Sequence, residues 1–316
     1  MARAGRVALL FAVGACACRA SAGAWEPVPP LNTARSEMHA AVLGGCVYVV
    51  GGIAANLTTA SAECFDLAAG TWRRLPPLPE VVNHAPMAAL DGAMWVSGGF
   101  ADLFRTLAAP VLWRYDPARR AWSGGVAMPG RRAAHALLAL DDRLYVVGGV
   151  GDAPAEVWSY APATRRWNVR HAPLPTLLEH TSGVAYGGKL WIFGGRWAGA
   201  GESRVVLVYD PAKDAWHRGP DMPEARGGHT AAVLGRVAYV LGGQRPGSGD
   251  VEDRMLRFDF ETQRWQIASR AESPSLPRHG LGSAVAGGCL WLAGGGLRAG
   301  WRTLFAPTSR VEKLCR

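Results

Sequence analysis

Six short apolar runs in this 316-residue chain end in a glycine doublet. The runs are 47–50, 94–97, 144–147, 190–193, 238–241 and 290–293. The doublets are Gly51–Gly52, Gly98–Gly99, Gly148–Gly149, Gly194–Gly195, Gly242–Gly243 and Gly294–Gly295. Each run carries an aromatic residue three positions before its doublet: Tyr48, Trp95, Tyr145, Trp191, Tyr239 and Trp291. Short β-branched and aromatic runs bounded by glycine predict buried strands. Successive doublets lie 47, 50, 46, 48 and 52 residues apart. A period near fifty predicts one supersecondary unit copied six times.

The remainder of each unit is equally regular. A variable segment leads to a second aromatic and a turn, as in Phe65-Asp66, Tyr115-Asp116-Pro117, Tyr160-Ala161-Pro162, Tyr209-Asp210-Pro211 and Phe258-Asp259. Aspartate bonds the backbone ahead of it and proline presets φ, so these segments turn. Trp72, Trp122, Trp167, Trp216 and Trp265 follow seven residues after the five aromatics. A constant loop length pins the register of a hairpin. Proline-rich stretches such as 75–79 come next and cannot extend a sheet. An arginine or histidine then precedes the next apolar run. The unit reads as four antiparallel strands: a after the Arg/His, b ending at the doublet, c ending at the aromatic-Asp turn, and d starting at the tryptophan.

Glycine doublet, Tyr-Asp-Pro and tryptophan at this period resemble the kelch repeat, and the match runs over about residues 24–316. The resemblance implies an all-β, six-bladed kelch β-propeller around a central channel. Trp25 opens a d strand with no a, b or c before it. The last copy stops after Val311-Glu312-Lys313-Leu314, where Leu314 replaces the aromatic. The N-terminal strand is therefore expected to complete the last blade and close the ring, which removes exposed sheet edges. One domain is expected over residues 23–316.

Residues 1–22 do not fit the repeat. Arg3 and Arg6 precede an apolar run at 7–13, and Ala20-Ser21-Ala22 supplies small residues at a cleavage point. This predicts a secretory signal peptide and a secreted or periplasmic protein. The run is too short to span a bilayer. Val13-Gly14-Ala15-Cys16 also loosely resembles a bacterial lipobox, which would place a lipid anchor at Cys16. Removing the leader takes Arg3, Arg6 and Arg19 and no acids, so the formal charge falls from +9 to +6. That surplus favours acidic partners. Nucleic acid is not expected, because there is no basic tract and the aromatics are committed to strands.

Four cysteines remain: Cys46, Cys64, Cys289 and Cys315. Cys46 and Cys289 hold equivalent positions in blades that adjoin across the closure. Such points are usually too far apart for a disulfide, so buried thiols are expected. Asn56-Leu57-Thr58 is a glycosylation sequon, but the alanine- and arginine-heavy composition points to a bacterial host.

Strand direction places the b–c and d–a loops on one face. The b–c loops vary while the c–d loops do not, and variable loops on a constant scaffold carry function. The d–a loops contribute Arg35, Arg131, Arg132, Arg226 and Arg278, and the b–c loops Arg105, Arg196, Arg245 and Arg298. Arginine suits bidentate recognition of carboxylates. Trp197 and Trp301 lie in the same loops outside the repeat, and aromatics beside arginine suit hot spots and sugar platforms. The expected binding set is Arg35, Arg132, Glu179, His180, Arg196, Trp197, Arg226, Arg245, Arg278 and Trp301. Their ligand would be an acidic protein segment or an anionic glycan, held over the channel mouth by a monomer.

Six histidines recur once per blade: His39, His84, His135, His180, His229 and His279, lying 12 to 15 residues before a doublet. Kelch units often carry an arginine and a histidine here, so the resemblance implies scaffold rather than metal. No metal and no cofactor are expected. Copper radical oxidases on this fold use two tyrosines and two histidines. All seven tyrosines here (Tyr48, Tyr115, Tyr145, Tyr160, Tyr186, Tyr209, Tyr239) sit at repeat positions or in an a–b turn, which disfavours that chemistry. A second kelch precedent is the periplasmic N-acetylneuraminate mutarotase. Glu179, His180 and Arg196 could serve as its acid/base group and carboxylate clamp, with Glu179 equally readable as a solvated loop carboxylate. A non-catalytic binding module is the leading expectation.

Overall fold

The computed structural model describes residues 23–300, 302 and 306–316. Residues 1–22, where a leader and the Cys16 anchor are expected, lie outside the described residues, as does Trp301. The described chain forms six four-stranded antiparallel sheets in chain order. Blade one consists of His39–Leu43, Cys46–Val50, Ala62–Asp66 and Thr71–Leu75. Blade four is the longest, because Lys189–Trp197 and Gly201–Asp210 continue past the doublet as an extended hairpin. Blade six orders Trp25–Val28 beside Val311–Cys315, then Cys289–Ala293 and Gly282–Ala286. Trp25 stands opposite Leu314 and Val28 opposite Val311, so the N-terminal strand completes the last blade as expected. The innermost strands of successive blades touch in order, and that of blade six touches that of blade one. The ring is closed.

The tryptophan spacing has a double use. Each tryptophan stands directly across the c–d hairpin from its aromatic, as Tyr115 does from Trp122 and Phe258 from Trp265. Their ring centroids lie 5.0 and 4.9 Å apart. Each indole N–H also donates to a carbonyl of the preceding linker. Trp72 reaches Pro29, Trp122 Pro76, Trp167 Ala127, Trp216 Ala172 and Trp265 Pro220, all at 2.7–2.9 Å. Trp25 closes the series on Glu272 at 3.0 Å.

The doublets join one blade to the next. The second glycine N–H donates to a carbonyl at the entry of the following blade: Gly52 to Val82, Gly99 to Arg132, Gly149 to Leu178, Gly195 to Arg226 and Gly243 to Arg278. Gly295 donates to Arg35 and crosses the closure; all six bonds measure 2.7–2.9 Å. A Cβ on the first glycine would lie within 2.8 Å of the same carbonyl in every blade. The second glycines take φ of 87 to 101°, a conformation that side chains disfavour. Position and contact both demand glycine.

The cysteines depart from expectation. Cys46 is bonded to Cys64 and Cys289 to Cys315, each pair joining strands b and c of one blade. Cys289 and Cys315 are direct cross-strand partners with Cα atoms 4.1 Å apart. Sequence comparison between blades missed them because the partners lie within a blade, one full b–c loop apart.

Replacing Gly243 by alanine is expected to lower the unfolding free energy by about 2–3 kcal/mol, through positive-φ strain and a lost inter-blade bond. The urea midpoint at constant m-value reads this. Reduction of both disulfides is expected to lower the thermal midpoint, and Cys315→Ser should reproduce part of the drop.

Candidate functional site

Four arginines expected on the ligand face are instead part of the frame. Arg35, Arg132, Arg226 and Arg278 are 0% exposed. Each places Nη1 on the carbonyl of its own blade's first doublet glycine, sixteen residues on, at 3.1, 2.8, 3.3 and 3.1 Å respectively. Arg35 also bonds Ser61 O at 2.8 Å and pairs with the buried Glu63. Arg278 pairs with the buried Glu312. Arg132 bonds the carbonyls of Asp152 and Ala153 and lies 4.0 Å over the Trp158 ring. Arg226 bonds Glu224 at 2.6 Å. These groups offer no surface to a ligand, because the backbone has taken their donors. Blades two and four carry Val82 and Leu178 at this position.

The channel mouth is stopped by a second ring. Glu37, His84, Ala134, His180, Gly228 and Gly280 stand fourteen residues before their doublets (37 to 51, 84 to 98, 134 to 148, 180 to 194, 228 to 242, 280 to 294). All six have positive φ, between 50 and 67°. Backbone bonds run round the ring: His84 N to Glu37 O, Ala134 N to His84 O, His180 N to Ala134 O, Gly228 N to His180 O and Gly280 N to Gly228 O, at 2.9–3.0 Å. Only three of these positions bear functional side chains. Below them a channel of about 210 Å³ runs between the innermost strands, past Ala40, Met87, Leu138, Ser182 and Thr230.

Glu37, His84 and His180 converge in this ring, each side chain almost fully buried. Glu37 Oε2 lies 3.1 Å from His84 Nε2, and Oε1 lies 3.1 Å from His279 Nδ1. His84 and His180 meet edge to face at 4.8 Å. Burial would raise the Glu37 carboxyl, but the imidazoles of His84 and His279 overcome it and hold the group well below the usual carboxylate range. Burial holds His180 down to about 4 and His229 to about 3, and keeps His84 and His135 well below the ordinary imidazole value.

Glu179 is not a solvated loop carboxylate. It bonds His180 Nδ1 and, at 2.6 Å, Arg196 Nε. Burial opposes its ionisation, yet these two partners hold it down to about 2. Arg196 also donates to Gln244 Oε1 at 3.1 Å, and Gln244 bonds Glu202 at 2.6 Å, so blades four and five are tied across the face. Trp197 is half-buried near the tip of the blade-four hairpin. Arg245 is exposed and pairs with Glu252 and Asp253 at 3.5 and 3.7 Å. Trp301 lies outside the described residues.

Sequence reasoning named Arg105 in the blade-two loop but not its apolar neighbours. Phe104 is 88% exposed and Leu107 59%, and Leu57 on the neighbouring loop is 67% exposed. The Asp102 carboxylate holds this loop, accepting from Thr106 N at 3.1 Å and Leu107 N at 2.9 Å. Among the described residues, Arg105 between the two apolar side chains has no carboxylate partner. Its charge helps to hold the imidazoles of His84 and His180 below their ordinary value.

A closed six-blade ring, with variable loops on one face and an intact inner frame, is a repeat-built propeller whose working surface is its loops. Comparison with known proteins agrees. A model described as the KLHDC2/KLHL20/DRC7 Kelch-repeats domain matches residues 134–304, and the Kelch motif matches residues 34–79. The chain belongs to the kelch-repeat family. Kelch-like protein 36 of Rattus norvegicus is 35% identical over 155 residues, covering 48% of this chain and 24% of that protein. Beta-scruin of Limulus polyphemus is 28% identical over 204 residues, covering 60% and 22%. The chain thus spans about a quarter of the length of these relatives. A solved structure titled "Structure of YjhT" superposes with a TM-score of 0.75 at 16% identity, covering 90% of this chain and 96% of that one; this likeness is of fold. Family and fold together support a protein-interaction module.

Two outcomes follow from the frame and its buried imidazoles. Arg278→Ala is expected to cost about 3–5 kcal/mol, because it leaves Glu312 buried and unpaired; chemical denaturation measures it. His135 and His229 stay neutral in the fold but titrate near 6.5 when unfolded. Below that pH the unfolded chain binds more protons, so stability is full above about 6.5 and falls with pH towards the lower native values. The loss by pH 5 is roughly 2 kcal/mol per imidazole. A His135→Gln/His229→Gln variant should show a flatter dependence of thermal midpoint on pH.

Proposed function

We propose that this chain is an extracytoplasmic interaction module that holds an acidic peptide segment with apolar residues against blades one and two and the adjoining mouth. The carrying observation is the blade-two loop, where Phe104 and Leu107 stand exposed on either side of Arg105. Exposed aromatics beside an uncommitted arginine are the usual anchors of an interface. Asp102 keeps the loop in one shape, so little ordering is needed on binding. Arg105 lies near the histidines of the mouth, and Arg196 lies against His180. The pair gives a carboxylate-bearing segment two guanidiniums to approach. The formal charge, +9 for the full chain and +6 without residues 1–22, favours the same partner. Arg245 and Trp197 extend the face towards blades four and five. The two disulfides support an oxidising compartment, in keeping with the leader at 1–22.

The sugar-opening enzyme is less well supported. Glu179 is tied to His180 and Arg196 and held ionised, so it has no proton to donate to a ring oxygen near neutral pH. Sialic-acid anomer exchange followed by proton NMR, with and without protein, tests that reading; acceleration would favour it.

The binding reading is tested with a fluorescent library of acidic peptides and a glycan array, each at low and high salt. Peptide binding that weakens with salt is expected. Phe104→Ser with Arg105→Ala should weaken it at least about tenfold with an unchanged thermal midpoint. Unchanged affinity, or binding confined to anionic glycans, would overturn the peptide assignment.

A further inference from the structure

The three functional side chains of the mouth ring form a ligand set that nothing above uses. Among the described residues, Glu37, His84 and His180 present one donor atom each within 4.8 Å of one another. They come from three blades, and the ring bonds between their backbones hold them in register.

The proton positions on both imidazoles follow from their outer partners. Asn83 donates its amide to Thr58 Oγ1 at 2.8 Å and to Asp102 O at 3.1 Å. Its oxygen therefore faces His84 Nδ1, which must carry the hydrogen. The Glu179 carboxylate likewise accepts from His180 Nδ1. Both Nε2 atoms are left with bare lone pairs. His84 Nε2 then faces Glu37 Oε2 at 3.1 Å, acceptor against acceptor. Among the described residues, His84 Nε2 finds no hydrogen-bond partner, and Glu37 Oε1 has only His279 Nδ1 beside it, at 3.1 Å. Two buried lone-pair atoms this close need a positive charge between them, a proton or a metal ion.

The geometry points to a site for a divalent transition ion of the zinc class, with Glu37, His84 and His180 as ligands. Two imidazoles and one carboxylate match the ligand preference of such ions. Asn83 and Glu179 are the outer partners that orient metal-binding histidines. A cavity of about 30 Å³ lies among Glu37, His84, His180, Gly228 and Gly280, enough for an ion and a fourth ligand. A Cβ at Gly280 would strike the Glu37 carboxylate at 2.6–2.8 Å, so small residues keep that side open. The 4.8 Å span exceeds a tetrahedral ligand edge of roughly 3.4 Å, so the ion draws the outer ligand inward. Arg196 does not compete for His180. Its Nη2 is 3.2 and 3.5 Å from the two ring nitrogens, and an atom nearly equidistant from both is off the line of the Nε2 lone pair. Glu179 offsets its charge at 2.6 Å.

The sequence reading took the six histidines as one class. Their distances to the doublet separate them: His84 and His180 stand at fourteen, in the ring, whereas His135 and His229 stand at thirteen. This inference is independent of the peptide-binding reading, and neither fails with the other.

The test uses the purified chain, stripped with a chelator and titrated with Co²⁺ alone and Zn²⁺ alone. One equivalent of cobalt with visible d–d absorption is expected, displaced by one equivalent of zinc. His84→Gln and His180→Gln should each weaken zinc binding at least about 100-fold, and Glu179→Gln by about 10- to 100-fold. His135→Gln should bind as the parent does. Failure of the unaltered protein to take up a stoichiometric ion would overturn the assignment without recourse to any variant. Equal loss in His135→Gln and His84→Gln would also overturn it.

Discussion

The ring depends on one peptide unit repeated six times, the bond between the two glycines of each doublet. Its N–H donates to the next blade, and its carbonyl in four blades accepts from a buried arginine of its own blade. The arginines and the glycines therefore serve the same group from opposite sides. In blades three, five, six and one the arginine's own carbonyl is also the acceptor for the preceding doublet. Backbone and side chain alternate as links, and each link fixes the donor or acceptor of the next. A buried amide clamped at both ends has no reason to move, since water cannot reach it to compete.

This reinforcement is uneven, and its distribution follows the weak point of a closed chain. From the doublet of blade four the relay passes unbroken through Arg226, Arg278 and Arg35 to the doublet of blade one. The closure between blades six and one lies within that run. The two disulfides lie in the same two blades, and Arg35 and Arg278 are the arginines with buried carboxylate partners. Blades two and four carry Val82 and Leu178 in place of arginine, and neither borders the closure. They supply the histidines of the mouth and the loops that carry Phe104 and Arg196. The frame arginines and the exposed loop groups Phe104 and Arg105 thus fall in different blades.

The fold was legible because its signals are local and repeated. The distance from Tyr115 to Trp122 is a hairpin length, and the doublets are backbone requirements that no neighbour can override. The half-blade at Trp25 was legible for the same reason. The site was less so. Arg226 and Arg278 looked like ligand groups because a buried arginine and an exposed one are the same letter; what distinguishes them is a carbonyl sixteen residues on. Cys46 was compared with Cys289 through repeat equivalence, whereas its partner Cys64 lies across a strand pair. Glu37 went unnoticed since no other blade carries an acid at that position, and Phe104 since it belongs to a loop without a counterpart. The fixed interval of fourteen residues marks the mouth ring, and of the six histidines His84 and His180 stand at it.

The pairing of Trp25–Val28 with Val311–Cys315 has a consequence for how the protein is made. Five blades consist of neighbouring segments and can form as the chain emerges, whereas strand Trp25–Val28 must wait for Val311–Cys315. During synthesis blade one stands without a neighbour on its closure side, and the strand before it remains unpaired. Such an intermediate is the state most exposed to wrong partners, including another unfinished chain offering its own first strand. The Cys289–Cys315 bond becomes possible only once strand Val311–Cys315 has been made. Oxidation there is thus a chemical mark of completion, separating finished rings from truncated ones.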